Sequence, residues 1–366
     1  MTASKTFILL IFFSVGIMIS FMPYLTRKTE SFGVFIPESY YERKDLGQMR
    51  RQYCLIMLTT NIVLGILLFL LVTKASEGVI EIGVALGIIL YLLLGFLAYL
   101  PFHFKMKKLK QEENWKEDFI EETVVDLAFR KEAMTLSKYY YLLPLGISLA
   151  TALYSFLMYD AFPDEVWRHI SFSGEITYTE KTPGSLMQLP ILQLFLIGLF
   201  LFVDYIIANS KQQLSPSNPE TSKKQNLLFR RRWSIFLFLS ASLMVAMFSF
   251  MQLSMLYENL LPYLDFVNYT TIGFILLGSI WLSLQTGQGG SRIEVEGKKD
   301  SKKVERDEDR YWKLGQFYFN KEDPSIFVEK RFGIGWTNNW AHPLSWILLV
   351  LLIGLPLVII LIVNQL

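Results

Sequence analysis

Cysteine and histidine are scarce in this sequence, and their placement excludes whole classes of site. The chain has one cysteine, Cys54, and three widely separated histidines, His103, His169 and His342. One thiol cannot form an internal disulfide, and scattered histidines do not form the ligand clusters of structural zinc sites. We therefore expect no metal and no cofactor. Cys54 is predicted to be a small packing residue, and His103 and His342 are predicted to have structural roles.

Short catalytic motifs are also missing. The sequence contains no His-Glu-x-x-His, no Gly-x-Ser-x-Gly, no Walker loop and no Gly-Asp pair inside an apolar stretch. Such motifs place a metal, a nucleophile or a phosphate-binding loop where the chemistry needs it. Their absence predicts a protein that has no catalytic residues and is not an enzyme.

The N-terminus does not have the pattern of a cleaved export signal. Lys5 precedes the apolar run Phe7–Ser20, but no small-x-small cleavage site ends that run, and basic residues follow it. We expect an uncleaved first membrane span.

Long apolar stretches, in contrast, are abundant. Eight of them have roughly the 20 residues that cross a hydrocarbon core about 30 Å thick. The predicted spans are Phe7–Tyr24, Tyr53–Val72, Val79–Phe102, Tyr139–Tyr159, Leu186–Ala208, Trp233–Leu256, Val267–Leu284 and Leu344–Val363. The sequence therefore predicts an all-α polytopic membrane protein, an eight-helix transmembrane bundle with a small cytoplasmic module before the last span.

The basic residues lie almost entirely on alternate connections. Of the 35 Lys and Arg residues, 31 lie in four segments, Thr26–Gln52, His103–Lys138, Asn209–Arg232 and Gln285–Pro343. Cytoplasmic loops retain positive charge. This pattern predicts a multi-pass protein of the cell membrane with both termini outside, and the basic face needs only anionic lipids, not nucleic acid, as its partner.

Charged residues inside the predicted spans are few. Glu81 lies within a turn of the outer end of the third span, and Asp204 lies about one turn from the inner end of the fifth. Intramembrane charges are functional candidates because burying them there is expensive. Both residues can also reach the interface or serve helix packing. Mid-span charges and inverted repeats, which are typical of ion-coupled transporters, are not evident.

The connection Asp160–Ser185 is acidic and predicted to be external, and it includes the β-prone stretch Ile176–Thr179. His169 lies near Asp164 and Glu175 in this loop. A histidine with carboxylates that faces the exterior can bind a cation or an amine, or respond to pH. The alternative is a hydrogen bond that only orders the loop.

Two cytoplasmic connections are predicted to contain helices. Glu38–Arg51 is expected to form a polar helix that leads into the second span, and Lys105–Lys138 is expected to form an amphipathic helix on the inner leaflet. The charged run Glu296–Arg310 is predicted to be a solvated helix or tether.

The segment Asp309–Trp346 is dense in aromatic residues and paired glycines. Asn320–Pro324 indicates a turn, Ser325–Lys330 a short strand, and Gly333 and Gly335 tight bends. We expect a module that packs on the inner span ends against Phe32–Tyr53, with Arg331 at lipid headgroups or a partner carboxylate. The alternative is a loop that only a partner orders. The candidate residues of the module are Tyr311, Trp312, Asn320, Asp323, Arg331, Gly333, Gly335 and Trp336.

That segment carries a family resemblance. Tyr-Trp-x-x-Gly-x-Phe-Tyr-x-Asn-x-x-Asp-Pro, followed by Arg-Phe-Gly-Ile-Gly-Trp-Thr-x-Asn, resembles the domain of unknown function 5808 of Gram-positive membrane proteins. The segment Phe32–Tyr53 is similar to the N-terminal part of the same proteins. The resemblance implies a family without an established activity.

A partial resemblance lies in Ala161–Leu194. Phe-Pro-Asp-Glu-Val-Trp-Arg-His-Ile-x-x-Ser-Gly-Glu is similar to the external loop of the domain of unknown function 1648, which also occurs in the SdpI-type immunity proteins of bacilli. Trp167 and Ile170 replace a proline and an aromatic residue of that pattern. The analogy implies toxin immunity or envelope sensing.

Three functions follow as hypotheses. The first is a non-enzymatic signalling, immunity or partner-modulating protein of the cell envelope that acts on a membrane-protein or peptide partner. The second is a transporter of a small solute or lipid, and the third is a membrane enzyme. The predicted segments are 1–138 with three spans, 139–208 with two spans and the acidic loop, 209–308 with two spans and the tether, and 309–366 with the module and last span.

Overall fold

The computed structural model describes residues 3–115, 134–170, 176–213, 219–295 and 309–365. Within these ranges the chain forms nine α-helices. They are α1 (Ala3–Ser20), α2 (Met22–Leu25), α3 (Lys44–Lys74), α4 (Glu77–Glu112), α5 (Leu142–Leu157), α6 (Pro183–Asn209), α7 (Pro219–Leu256), α8 (Leu264–Thr286) and α9 (Pro343–Gln365). Each predicted span lies on one or two of these helices, so the prediction of a mostly helical chain is confirmed.

Six helical segments in the described ranges are long and apolar enough to cross a membrane. They include α3 to α8 and define a multi-pass membrane protein. The terminal helices α1 and α9 are also apolar. Many aliphatic side chains on the outer faces of these helices stay exposed, for example Leu86 and Leu153, because lipid rather than protein covers such faces in a bilayer.

Three helices extend well beyond the predicted spans. Helix α3 begins at Lys44 rather than Tyr53, α4 continues to Glu112, and α7 begins at Pro219 rather than Trp233. The predicted polar helix Glu38–Arg51 is therefore in part a 3₁₀ turn at Glu38–Tyr40 and in part the first turns of α3. The apolar pattern of each span ends at the first charged residues. The helices continue past that point because polar side chains on the additional turns, such as Lys110 and Arg230, have partners elsewhere in the protein.

The helices pack as two groups. Helices α1, α3 and α4 surround one apolar core, which includes Met57 and Tyr91, and α5 to α8 pack together around separate cores that include Val245 and Leu264. Direct contact between the groups comes from α1 and α8, where the rings of Phe7 and Tyr269 lie 4.6 Å apart.

The described strands form four two-stranded antiparallel hairpins. They pair β1 (Glu30–Ser31) with β2 (Val34–Phe35), β3 (Glu165–Ile170) with β4 (Ile176–Glu180), β5 (Trp312–Lys313) with β6 (Phe317–Tyr318), and β7 (Phe327–Glu329) with β8 (Trp336–Asn338). The predicted strands at Ile176–Thr179 and Ser325–Lys330 are thus present. Most of Lys105–Lys138 and of Glu296–Arg310 lies outside the described residues.

Candidate functional site: the docked C-terminal module

Residues 309–346, called the C-terminal module below, form two hairpins joined edge to edge. A parallel bridge links Tyr318 to Asn339. The Asn339 amide donates to the carbonyls of Asn320 (2.8 Å) and Asp323 (3.1 Å), and its Oδ1 accepts from the Asn320 amide at 3.0 Å. One buried side chain thus holds the turn against the second hairpin.

The predicted turn at Asn320–Pro324 is present. Asn320 Oδ1 accepts from the Glu322 amide (3.0 Å), and Asp323 Oδ1 accepts from the Ser325 amide (2.9 Å). Asp323 also binds Lys211 Nζ at 2.7 Å. Burial alone would raise the pKa of Asp323, but the hydrogen bonds from Lys211 and Ser325 lower it below its usual value. Asp323 therefore orders the turn and ties it to the end of α6.

Aromatic stacking joins the C-terminal module to the segment Phe32–Tyr53, as predicted. The Phe332 ring lies 5.8 Å from the ring of Phe32, 5.8 Å from that of Tyr53 and 4.6 Å from that of Tyr99. All four rings are buried in the core of the first helix group. The module is thus part of the fold of that group.

Two glycines allow the close approach. Gly33 has φ +73°, and a Cβ there would lie 2.5 Å from the carbonyl oxygen of Gly315. Gly333 has φ +89°, and its Cβ would lie 2.8 Å from Met22 Sδ. Gly335 has φ +111° but open space around it, so its backbone conformation rather than close packing requires glycine.

Asp309 pairs with one cation of the C-terminal module and one of α4. Arg331 forms an ion pair with it, Lys110 Nζ lies 2.7 Å from Oδ2, and the Phe35 amide donates to Oδ1 at 3.1 Å. Burial would raise the pKa of Asp309, but Arg331 and Lys110 hold it below its usual value. Arg331 is buried, with its guanidinium 5.1 Å from the Trp312 ring centroid. The expectation that Arg331 meets lipid headgroups is wrong, because its charge is already satisfied inside the chain.

A second buried ion cluster centres on Glu329. Its Oε1 accepts from Asn226 Nδ2 (2.8 Å) and pairs with Arg230 at 3.1 Å, and its other oxygen pairs with Arg27. Glu329 and Arg230 are both fully buried. Arg230 also donates to Asn226 Oδ1 at 2.7 Å and to the Ser210 carbonyl at 3.1 Å. Each polar group thus has several partners, which a buried charge needs.

Sequence reasoning missed Glu329, Arg230, Asn226 and Arg27. Arg230 enters the predictions only as part of the basic connection Asn209–Arg232, and Glu329 only as part of the strand Ser325–Lys330. An acidic residue at the end of an apolar strand, directly before two basic residues, was the available signal. Its partners, however, lie too far away in the chain for spacing to indicate them.

Gln288, after the end of α8, completes the attachment. Its Nε2 donates to the carbonyls of Lys330 (3.0 Å) and Gly335 (2.9 Å), and its Oε1 accepts from the Gly335 amide at 2.8 Å.

Aromatic residues of the module also pack on α7 and on each other. The Trp336 ring lies 5.6 Å from the Phe229 ring of α7. The module candidates Tyr311 and Trp312 pack on Tyr318, with ring centroids 6.3 and 5.2 Å away. The C-terminal module therefore joins the ends of both helix groups.

The hairpin β3–β4 lies at the other end of α6 and α7. Val166 and Trp167 are buried there against Leu186, Met255 and Leu264. Asp164 is exposed and lies 3.7 Å from Lys181 Nζ. The strand β3 pairs His169 with Thr177, but the His169 side chain and Glu175 lie outside the described residues. The predicted grouping of His169, Asp164 and Glu175 therefore stays a prediction.

The two intramembrane acids differ in what the structure describes. Asp204 is buried on α6, where the hydroxyls of Ser234 and Thr135 interact with it. It therefore contributes to helix packing. The side chain of Glu81 on α4 lies outside the described residues. Among the described residues, no three His, Cys, Asp or Glu side chains are placed to share a metal ion.

Comparison with known proteins connects the C-terminal module to one family. A model of the family of unknown function DUF5808 matches residues 321–346, which comprise the turn, the hairpin β7–β8 and the start of α9. No curated protein and no solved structure matches the chain. Fold and comparison together indicate a multi-pass helical membrane protein in which the segment 321–346, ending in the first turn of α9, matches the DUF5808 model.

Proposed function

We propose that the chain is an eight-span protein of the cell membrane of a Gram-positive bacterium, with both termini outside and the C-terminal module in the cytoplasm. The charge pattern supports this orientation, since 31 of 35 basic residues lie on the connections at the module end. The structure supports the number of eight spans, because it has two apolar segments in addition to the six long ones. The first consists of α1 and α2, and the second is α9.

We further propose a non-enzymatic role. In this role the external hairpin β3–β4 senses or binds a membrane-protein or peptide partner, and the C-terminal module transmits the resulting change to the other side of the membrane. The observation that carries the proposal is the buried contact between Arg230 and Glu329. Arg230 lies near the start of α7, and Met255 at its other end packs on the hairpin. The two positions are about 38 Å apart at 1.5 Å per residue. A displacement of α7 would therefore act on both ends.

The resemblance to the external loop of SdpI-type immunity proteins, which lies on this same hairpin, supports an immunity or envelope-sensing form of the role. Trp167 departs from the pattern of that family, but it is buried against Leu186 of α6 and Met255 of α7 and so packs this chain's loop on both helices.

A small-solute or lipid transporter is the second candidate, and one observation favours it. Polar side chains lie buried between α5, α6 and α7, and Oε1 of Gln193 and of Gln252 have no hydrogen-bond partner in the described part of the chain. A hydrated path would satisfy such atoms. Against this, Gln193 Nε2 binds Ser249 at 3.0 Å and Thr151 binds Ser249 at 2.8 Å, which is interhelical packing. Modification of Ser249→Cys by a water-soluble thiol reagent, in a Cys54→Ser background, would favour transport.

Hydrogen exchange of the full chain in lipid nanodiscs tests the proposed coupling of the hairpin β3–β4 to the C-terminal module through α7, which is called the relay below. Trp167→Ala removes the buried anchor of the hairpin, and Tyr178→Ala removes an exposed ring of the same hairpin as a control. We expect Trp167→Ala, but not Tyr178→Ala, to change exchange in β7 and β8. If Trp167→Ala alters only the segment around 162–190, the two ends are not coupled and the relay is refuted.

A further inference from the structure

A cavity of about 310 Å³ lies between the C-terminal module and the helices α1, α3 and α4. Ile19, Leu92 and Phe96 line it from the helices, and Phe317 and Phe332 line it from the module. Its volume is at the lower end of the range of small-molecule sites in proteins. The walls are thus mainly apolar and come from two parts of the fold.

The cavity continues onto a lipid-facing surface. Leu92 on its helical wall is 53% exposed, and its neighbour Leu93 is exposed to a similar extent. Phe317 lies 6.4 Å from Trp340, which lies 5.2 Å from Trp346 on α9. Indole rings favour the level of the headgroups. The cavity therefore lies where the apolar surface of α4 meets the membrane interface.

Lys330 supplies the charge at this cavity. Arg331, Lys110 and Lys211 are each paired with a carboxylate, but the Lys330 ammonium has no hydrogen bond or ion pair within the described chain. Lys330 lines the cavity and is an exposed residue, and the surrounding protein lowers its pKa by desolvation. An anion beside it would offset that desolvation.

We propose that this cavity binds one anionic phospholipid, with its phosphate on Lys330 and the start of an acyl chain along Leu92 and Phe96. The unpaired cation selects an anion, and the apolar wall continuous with the exposed face of α4 selects a molecule with a hydrocarbon chain. A soluble peptide would not need that lipid-facing opening. The inference goes beyond the proposed relay and does not depend on it.

Native mass spectrometry of the full chain in mild detergent tests the site. The probes are phosphatidylglycerol and phosphatidylcholine with identical acyl chains. We expect wild type to retain phosphatidylglycerol preferentially and Lys330→Gln to bind it about tenfold more weakly, the loss of one charge-assisted hydrogen bond. Lys321→Gln, which removes an exposed charge from the turn of the same module, is the matched control and should bind as wild type does.

Leu92→Trp is the second variant, because it fills the apolar wall while leaving Lys330 intact. It should also weaken phosphatidylglycerol binding, and this result supports the proposal even if Lys330→Gln fails to fold. Equal retention of the two lipids by wild type would overturn the proposal, and so would equal losses in Lys330→Gln and Lys321→Gln. Displacement of the lipid by glycerol phosphate alone would also overturn it, since the acyl chain would then contribute nothing.

Discussion

The polar residues that matter most in this protein are buried rather than exposed. Glu329 lies between two guanidinium groups, those of Arg27 and Arg230, and Asp309 lies between Arg331 and Lys110. Removing charges from water costs several kcal/mol per ion, and only close partners and hydrogen bonds offset that cost. The two carboxylates therefore act as the points at which the C-terminal module is held.

Glu329→Gln should destabilise the protein strongly. The substitution preserves the size of the side chain but leaves the buried guanidinium of Arg230 without its anion and removes one of the two carboxylates beside Arg27, at a cost of about 3–5 kcal/mol. Thermal unfolding in detergent, followed by tryptophan fluorescence, should show a clear fall in the apparent melting temperature. Glu322→Gln changes an exposed carboxylate in the same module and should stay within about 0.5 kcal/mol of wild type. Equal melting temperatures for the two variants would contradict the prediction.

Glu30 should make the protein less stable as pH rises. Burial raises the pKa of its carboxyl to about 7, although Arg27 opposes this shift. The folded state therefore keeps a proton that the unfolded chain loses near its ordinary pKa, so stability is greatest below pH about 4.5 and falls as pH rises through about 7. At about 1.4 kcal/mol per unit of pKa shift, the loss is up to about 3 kcal/mol.

Melting temperatures measured at pH 5 and pH 8 check this prediction. Glu30→Gln should flatten the difference, whereas Glu38→Gln, an exposed neighbour, should retain it. A slope in Glu30→Gln that matches wild type would assign the pH dependence to other groups.

At the scale of elements, the important features are the helix ends that protrude beyond the apolar spans. Lys110 lies on the extension of α4, and Arg230 on that of α7. The hairpins of the C-terminal module pack on these turns, and the Phe332 ring packs against the rings of Phe32 and Tyr99. The hairpins are too short to be stable alone, so docking is what orders them.

Phe332→Ala should release the module. Truncating a buried phenylalanine costs about 3–5 kcal/mol, because contacts are lost and a cavity remains. Trypsin in detergent should then cut quickly at Lys321 and Lys330, which wild type should resist. Phe319→Ala, at a ring that is 40% exposed, is the control and should resist as wild type does. Rapid cleavage of wild type at these lysines would instead show that the module is a loop ordered only by a partner.

At the scale of the whole molecule, two helix groups touch directly through α1 and α8 and are held together by the C-terminal module. Arg27 precedes β1 in the first group, Arg230 belongs to the second, and both bind Glu329. The hairpin β3–β4 lies at the opposite end of the second group. The molecule thus has two distinct ends that are separated by its longest helices.

Cysteine labelling should place these ends on opposite sides of the membrane. In a Cys54→Ser background, Glu165→Cys on β3 should react with an impermeant maleimide in intact cells, and Lys321→Cys in the module should react only after permeabilisation. Both positions are exposed, so access rather than burial decides the result. Labelling of Lys321→Cys in intact cells would reverse the orientation.

The sequence by itself determined the membrane class, the approximate helix positions and the turn at Asn320–Pro324. These features depend on neighbours within one element: about 20 apolar residues match a bilayer, and Asn and Asp side chains bond to amides two residues on. The glycines at 333 and 335 were likewise evident, since only a residue without a Cβ adopts their φ values easily.

Tertiary structure alone decided which charges meet. Arg27, Arg230 and Glu329 are separated by roughly 100 residues or more along the chain, and neither periodicity nor spacing relates them. Arg331 shows the same point, because its sequence context favoured a contact with lipid headgroups or a partner carboxylate, whereas the position of Asp309 made it a buried partner. Local patterns report which face of an element is apolar, but the partner of a buried charge depends on how distant elements pack.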